Sequence, residues 1–203
     1  MPIYTKVGDE GRTCFFGCGL VEKNDDRIEA LGVLDELNSI IGLTLCFVED
    51  DRLRNMLTKI QNDLFTVGAD LAGSELAADT LPRITDGHVH ELENLIDELE
   101  DKLGMPKKFI LPGGTISSSF LHLCRTITRR AERELVGVKL AIKLNPIILR
   151  YVNRLSDLFY VLARQANKEL DVREQQPIYK YLKEDTMKRG VDRGVERGAE
   201  KVV

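Results

Sequence analysis

Between residues 117 and 139 the apolar side chains recur with the period of an α-helix. Phe120, Leu121, Cys124, Ile127, Ala131, Leu135 and Val138 fall on one arc at about 3.6 residues per turn. The same period returns in four other segments. Residues 25–48 carry Ala30, Leu34, Leu37, Ile41 and Leu45; residues 52–73 carry Leu53, Leu57, Ile60, Leu64, Val67 and Leu71. Residues 86–103 carry Val89, Leu92, Leu95, Ile96 and Leu99, and a fifth segment follows Asn145-Pro146 to about residue 170. No window alternates convincingly with period two beyond residues 3–7. Five long helices with short connections predict an all-α, up-and-down five-helix bundle.

The punctuation agrees. Asn24 or Asp25 can cap the first helix, Asp86 the third, and Asn145 with Pro146 at the first helical position starts the fifth. Pro82, Gly104-Met105-Pro106 and Pro112-Gly113-Gly114 break the intervening chain. Residues 1–24 read as a glycine-rich loop with at most a short extended piece at 3–7. Residues 187–201 hold a four-residue quasi-repeat, Arg-Gly-Val-Asp, Arg-Gly-Val-Glu, Arg-Gly-Ala-Glu, in which regular glycine weakens any helix. The expected division is one domain over 1–176 and a polar tail over 177–203.

Charge and cysteine usage narrow the function. The 203 residues carry a net charge of −4, so no global field attracts nucleic acid or an anionic membrane, and any anion site must be local. No apolar run reaches the length of a membrane span, and Met1-Pro2-Ile3-Tyr4-Thr5 lacks a leader's apolar stretch. Of the four cysteines, Cys46 and Cys124 lie on apolar arcs and read as buried thiols, while Cys14 and Cys18 lack the second pair that a zinc site needs. A reduced, cytoplasmic protein is expected.

One stretch offers a candidate for such a local anion site. Opposite the apolar arc of 117–139 lie His122, Arg125, Arg129, Glu132 and Arg133, with Arg130 beside them. Four arginines in nine residues concentrate donors suited to phosphate. The plainer reading is a solvated face paired as Arg129–Glu132 and Arg130–Glu134. Near the N-terminus, Gly8 and Gly11 sit among Thr5, Lys6, Thr13 and Lys23, backbone and side-chain donors that can surround an anion, although no Gly-Lys-Ser/Thr opens a helix there. Asp35 and Asn38 lie at the edge of the first helix's apolar stripe, where a lone carboxylate is costly. On the fifth helix Arg150, Asn153, Arg154, Asp157 and Arg164 share a face.

Four blocks together resemble the ATP:cob(I)alamin adenosyltransferases. They are Tyr4-Thr5-Lys6 with Gly8-Asp9-x-Gly11-x-Thr13 and Lys23; Asp35-Glu36-Leu37-Asn38-Ser39; Phe109-Ile110-Leu111-Pro112-Gly113-Gly114 with Leu121-His122-x-x-Arg125-x-x-x-Arg129-Arg130-Ala131-Glu132-Arg133; and Asn153-Arg154-Leu155-Ser156-Asp157. They stand in the family's order. The resemblance implies a trimer whose active sites lie between subunits, with an ordered N-terminal nucleotide-binding loop. It implies transfer of the 5′-deoxyadenosyl group of ATP to the cobalt of cobalamin, with Mg²⁺ required. Thr5, Lys6, Val7, Gly8, Thr13, Cys14 and Lys23 would hold ATP from one subunit, and Arg129, Arg130, Glu132, Arg133 and Asn153 from its neighbour. Arg125 would pair with Asp35 across the interface, and Phe109 would sit under the corrin ring. A flavoprotein reductase and an adenosylcobalamin-dependent enzyme are the partners such a reaction implies. Val7 and Arg12 stand where small or hydroxylated residues are usual, Leu20 where an arginine is common and Leu31 where an aromatic is frequent.

Overall fold

The computed structural model describes residues 4, 6–15, 19–72, 81–104, 106, 108–141 and 144–179. Five helices run in chain order: α1 (Asp26–Leu45), α2 (Asp51–Ala72), α3 (Asp86–Leu103), α4 (Ile116–Ala141) and α5 (Pro146–Glu169). They are preceded by a two-stranded antiparallel hairpin, β1 (Arg12–Phe15) and β2 (Gly19–Glu22), which the sequence reading took for loop. Arg12 faces Glu22 across the ladder and its Nε donates to the Glu22 carboxylate at 2.8 Å. Strands of four residues are too short to display alternation, so only that opposite-charge pair betrays them.

The chain forms two compact units. The first comprises 1–105 and 112–174 and holds the hairpin and all five helices. The second comprises 106–111 and 175–203; within it the Leu111 amide donates to the Gln175 carbonyl at 2.7 Å. The expected tail lies outside the described residues from Lys180 onward.

In the first unit α1 packs on α2 and α4, and α5 packs on α4 and α3. The α1–α4 pairing is antiparallel: Phe47 stacks on Phe120 with ring centroids 5.3 Å apart, and Thr44 Oγ1 lies 3.6 Å from Cys124 Sγ. Farther along the same seam Arg130 bonds to Glu36. α5 is the most enclosed element. Ile148, Tyr151, Val152, Leu155, Leu158, Phe159, Val161, Leu162 and Ala163 are all buried. Its wide apolar surface is therefore consumed inside one chain.

The caps follow local chemistry. Asp25 accepts from the Arg27 amide at the start of α1, and Asn145 from the Ile147 amide at the start of α5. For α3 the cap is Thr85, one residue before the expected Asp86. Its amide donates to His88 Nδ1 at 3.2 Å and its hydroxyl lies 2.9 Å from the same nitrogen. His88 is thus a half-buried capping residue, edge-on to Tyr151.

Two carboxylates of α2 pin the other helices. Asp63 accepts from the buried Tyr151 hydroxyl at 3.0 Å and pairs with Lys59 at 2.8 Å, while Lys59 reaches Glu91 of α3. The carboxylate raises the already burial-elevated pKa of Tyr151, which keeps the phenol a donor. Asp70, whose side chain is only 2% exposed, accepts from Asn145 Nδ2 at 2.6 Å and from Arg83 Nε at 3.0 Å. Asn145 also donates to the Ile84 carbonyl at 3.0 Å. One side chain therefore joins α2, the α3 approach and the α5 cap. Asp70→Ala removes the buried acceptor shared by Asn145 and Arg83 and should lower unfolding stability by about 1 kcal/mol. Urea titration followed by circular dichroism measures it; a midpoint equal to the parent's would remove Asp70 from this role.

Candidate active site

The polar groups singled out from sequence fall on two separate seams of the helical unit. The first is the α1–α2 seam with the hairpin against it. Lys6 adopts φ +62°, a left-handed conformation that is costly for a side chain with a Cβ. It initiates the turn in which Asp9 N donates to the Lys6 carbonyl and Gly11 N to the Gly8 carbonyl. Lys23 N donates to the Gly11 carbonyl at 2.8 Å, folding β2's end back over the turn. The Lys23 ammonium then lies so close to Gly8 that an added Cβ would sit 3.0 Å from Nζ. Gly8 is there because the backbone must meet an ammonium at contact distance.

Beneath this turn a groove of about 590 Å³ is lined by Thr13, Ile28, Leu31, Leu34, Asp35, Asn38 and Phe65, among others. A second hollow of about 400 Å³ continues past Asp35 and Asn38 to Gln61 and Asn62. Asn38 and Gln61 bond reciprocally through side chain and backbone, yet Asn38 Oδ1 is buried without a donor. Asp35 is exposed, and its carboxylate has no partner among the described residues. Val7 and Cys14 are exposed on the hairpin side, and Thr5 lies outside the described residues. Leu20 is exposed, and Leu31 forms part of the groove's apolar wall.

The second seam lies between α4 and α5. Neither expected in-helix pair forms. Arg130 reaches across to Glu36, and Glu132 instead accepts from Asn153 Nδ2 at 2.9 Å. Asn153 in turn accepts from Arg154 at 2.6 Å, and Arg154 Nε donates to Glu93 at 2.9 Å. This chain of bonds holds Asn153 and Glu132 rigid beside the arginines. Arg133 donates to the Arg129 carbonyl, and no carboxylate lies within ion-pair distance of Arg125, Arg129 or Arg133 among the described residues. Asp157 is near enough to feel Arg129. Its carboxyl pKa is nevertheless raised, because lost hydration outweighs the neighbouring arginines.

Arg125 is half-buried with Nε unpaired, and burial followed by the Arg129 charge pushes its pKa down. His122, placed by periodicity on the solvent arc, is in fact only 4% exposed, with its ring 6.2 Å from that of Tyr160. Neither ring nitrogen has a partner. Arg164, expected on the exposed polar face, is likewise buried; it covers the Tyr160 ring at 5.9 Å and donates to Glu174 and to the Gly104 carbonyl. Cys46, expected to be buried, is exposed, whereas Cys124 is enclosed and its thiol is pushed up to about 11 by burial.

The two seams are not brought together in one chain. Glu36 opposes Arg130 and Thr44 opposes Cys124, so Arg125 lies level with about residue 43, eight residues from Asp35. At about 1.5 Å per residue that is about 12 Å along the axis, and Asp35 faces α2 while Arg125 faces α5. Phe109 is 79% exposed. Among the described residues no three His, Cys, Asp or Glu side chains are grouped to hold a metal ion.

His122 yields a pH signature. Burial, with a contribution from Arg125, lowers its pKa from an ordinary value of 6.5 to about 4. Between these values the unfolded chain binds a proton that the folded chain does not. The His122 contribution is therefore intact above about pH 6.5 and is lost as pH falls towards 4. Urea midpoints measured across that range should fall with acidification, and His122→Phe should flatten the dependence; equal slopes in both proteins would contradict the assignment.

Residues 3–166 match the family model described as Cobalamin adenosyltransferase. The chain is 43% identical over 172 residues to the corrinoid adenosyltransferase of Bacillus subtilis (strain 168), covering 82% of this chain and 87% of that protein. A corrinoid adenosyltransferase of Citrobacter freundii is 39% identical over 171 residues, covering 84% of this chain and 97% of its own length. The chain spans 49% of a second C. freundii protein, the corrinoid adenosyltransferase PduO, and is 41% identical to it over 165 residues, 81% of this chain. Among solved structures, a variant of the PduO-type ATP:corrinoid adenosyltransferase from Lactobacillus reuteri, complexed with cobalamin and ATP, superposes with a TM-score of 0.82. It shares 39% identity and covers 87% of this chain and 99% of its own. Family model, full-length relatives and fold agree: the chain belongs to the cobalamin adenosyltransferase family.

Proposed function

We propose that this chain transfers the 5′-deoxyadenosyl group of ATP to the cobalt of cob(I)alamin or a related corrinoid, forming adenosylcobalamin and releasing triphosphate. The observation that carries the reading is the row Arg125, Arg129 and Arg133, left without carboxylate partners among the described residues in a chain of net negative charge. Guanidinium groups kept free of internal ion pairs are available to a polyanion.

The electron flow needs little from the protein. The Co(I) substrate supplies both electrons of the new Co–C bond, and the C5′–O bond breaks with its electron pair leaving on triphosphate. No side-chain nucleophile or general base is required. The task is to hold the phosphates and stabilise the charge that grows as the bond breaks. Arg129 and Arg133 serve that role, and Glu132–Asn153 fixes their neighbourhood. From the other seam, Thr5, Lys6, Val7, Gly8, Thr13, Cys14 and Lys23 bind ATP, the backbone amides around Gly8 and the Lys23 ammonium facing its anionic part. Arg130 completes the phosphate set when it exchanges Glu36 for substrate. Mg²⁺ fits as an ion carried by the phosphate oxygens, since the described residues build no carboxylate cage; its chemistry is neutralisation of phosphate charge. Phe109, exposed on the second unit, is the apolar group that occupies the lower face of the corrin in place of a cobalt ligand.

Because the seams lie on different faces of one chain, a complete site takes the hairpin seam of one copy and the arginine seam of another. A homotrimer closes this arrangement head to tail. Asp35 of one copy then meets Arg125 of the next, satisfying two groups that have no partner among the described residues of their own chain. We assign 1–176 to the catalytic domain and 177–203 to a polar tail. We assign the protein to the cytoplasm, as its cysteine usage suggests, with a flavoprotein reductase supplying the reduced corrinoid and an adenosylcobalamin-dependent enzyme using the product.

The deciding experiment is incubation of the full chain with ATP, Mg²⁺ and chemically reduced cobalamin, watching the Co–C product spectrum; absence of product with bound ATP would leave only a nucleotide- or corrinoid-binding module. Arg129→Ala should slow turnover roughly 30- to 1000-fold, equivalent to about 2–4 kcal/mol of lost charge stabilisation. Near-normal turnover in the folded variant would remove Arg129 from the phosphate set. Asp35→Asn and Arg125→Ala should each weaken assembly in sedimentation velocity. The double variant should be little worse than either, because removing one partner of a buried pair strands the other. Strictly additive losses would show that the two residues do not meet.

A further inference from the structure

Asn167 lies in the last turn of α5, just past the residues that match the family model. It is 2% exposed. Its Oδ1 accepts from the Thr115 amide at 2.9 Å and its Nδ2 donates to the Gly113 carbonyl at 2.9 Å. A primary amide meets an N–H and a C=O two residues apart in the chain, and so grips the turn as one object. The turn is shaped for that grip. Gly113 and Gly114 take φ of +147° and +114°, and a Cβ on Gly114 would collide with the Asn167 side chain. Ser118 Oγ adds a second donor to the Gly113 carbonyl at 3.1 Å. The Asn167 carbonyl meanwhile accepts from the Val172 amide at 2.8 Å.

Within the helical unit Asn167 therefore holds both the turn at 113–115, by its side chain, and the Val172 amide after α5, by its carbonyl. The second unit comprises 106–111 and 175–203. The first of these carries Phe109, three residues before Pro112. Phe109 has no support of its own in the core, being largely exposed. The turn that Asn167 holds begins four residues after it in the chain.

We propose that Asn167 is a positioning residue for adenosyl transfer, fixing the Gly113–Thr115 turn so that the Phe109 segment is presented to the corrin ring. This rests on the proposed activity, and the test separates the two. Asn167→Ala removes both bonds; Asn167→Asp keeps the acceptor for Thr115 and loses the donor to Gly113. Each full-length variant is checked for its helical spectrum and melting, then examined by hydrogen exchange, by ATP titration and by the spectrum of bound Co(II) cobalamin with ATP.

The expected result for Asn167→Ala is faster amide exchange over 106–116, ATP affinity within about twofold of the parent, and a several-fold smaller four-coordinate Co(II) fraction. Turnover should fall at least tenfold with little change in the KM for ATP, and Asn167→Asp should recover part of the loss. A folded Asn167→Ala with unchanged exchange over 106–116, or with an unchanged four-coordinate fraction, overturns the proposal. Loss of ATP affinity equal to the loss of turnover overturns it as well, since that is the mark of general damage. Where Asn167→Ala does not fold, the same criteria are applied to Asn167→Asp. If the parent itself makes no Co–C product, the functional reading fails and the catalytic role of Asn167 falls with it, while the exchange data still report whether Asn167 holds the turn.

Discussion

The structure depends on burying α5 on nearly every side. A helix enclosed in this way turns the polar residues of its neighbours outward, into seams such as α1–α2 and along the rim of α4–α5. It also needs its own polar groups satisfied inside. Tyr151 finds Asp63, Asn145 finds Asp70, and Arg164 finds Glu174 and the Gly104 carbonyl. Each of these bonds lets α5 carry a donor into the core without an unpaired group, and each ties α5 to another part of the chain. The arginine row of α4 is positioned by default. Its opposite face, from Leu121 to Val138, is held against the core, so Arg125, Arg129 and Arg133 have no inward route.

The helices were legible because apolar residues at a 3.6 period admit one secondary structure, and Asn145-Pro146 and Asp25 carry their capping chemistry in their own side chains. The hairpin was not, since four residues per strand cannot express an alternating pattern. His122 and Arg164 were misplaced for a different reason. Helical periodicity gives a direction but not the width of the covering neighbour, and Tyr160 extends the α4–α5 contact beyond the apolar stripe. The pinning carboxylates were missed, though a signal existed. Asp63 and Asp70 stand seven residues apart, each beside a core leucine, Leu64 and Leu71, so both had to approach the interior.

The site residues divide along the same line. The four blocks supply phosphate-binding residue types in a fixed order, and the sequence can carry that much. It cannot say that Glu132 prefers Asn153 to Arg129, nor that Arg130 spans to Glu36, because both choices depend on how helices distant in sequence are set against each other. Asn167 escaped for the same reason: its partners lie 52 and 54 positions away in the chain.

The separation of the two seams has a consequence in mass action. On the shared site proposed above, a chain alone would hold no whole site, so its specific activity would be a property of concentration. Diluted below the dissociation constant of its assembly, a pool of fully folded chains would fall silent with every helix intact. Two chains damaged in different seams could, once mixed, rebuild an intact junction between them, while a chain damaged in both would spoil the junctions on either side. For such a protein the amount made by a cell sets more than the number of catalysts. It sets whether any catalyst exists.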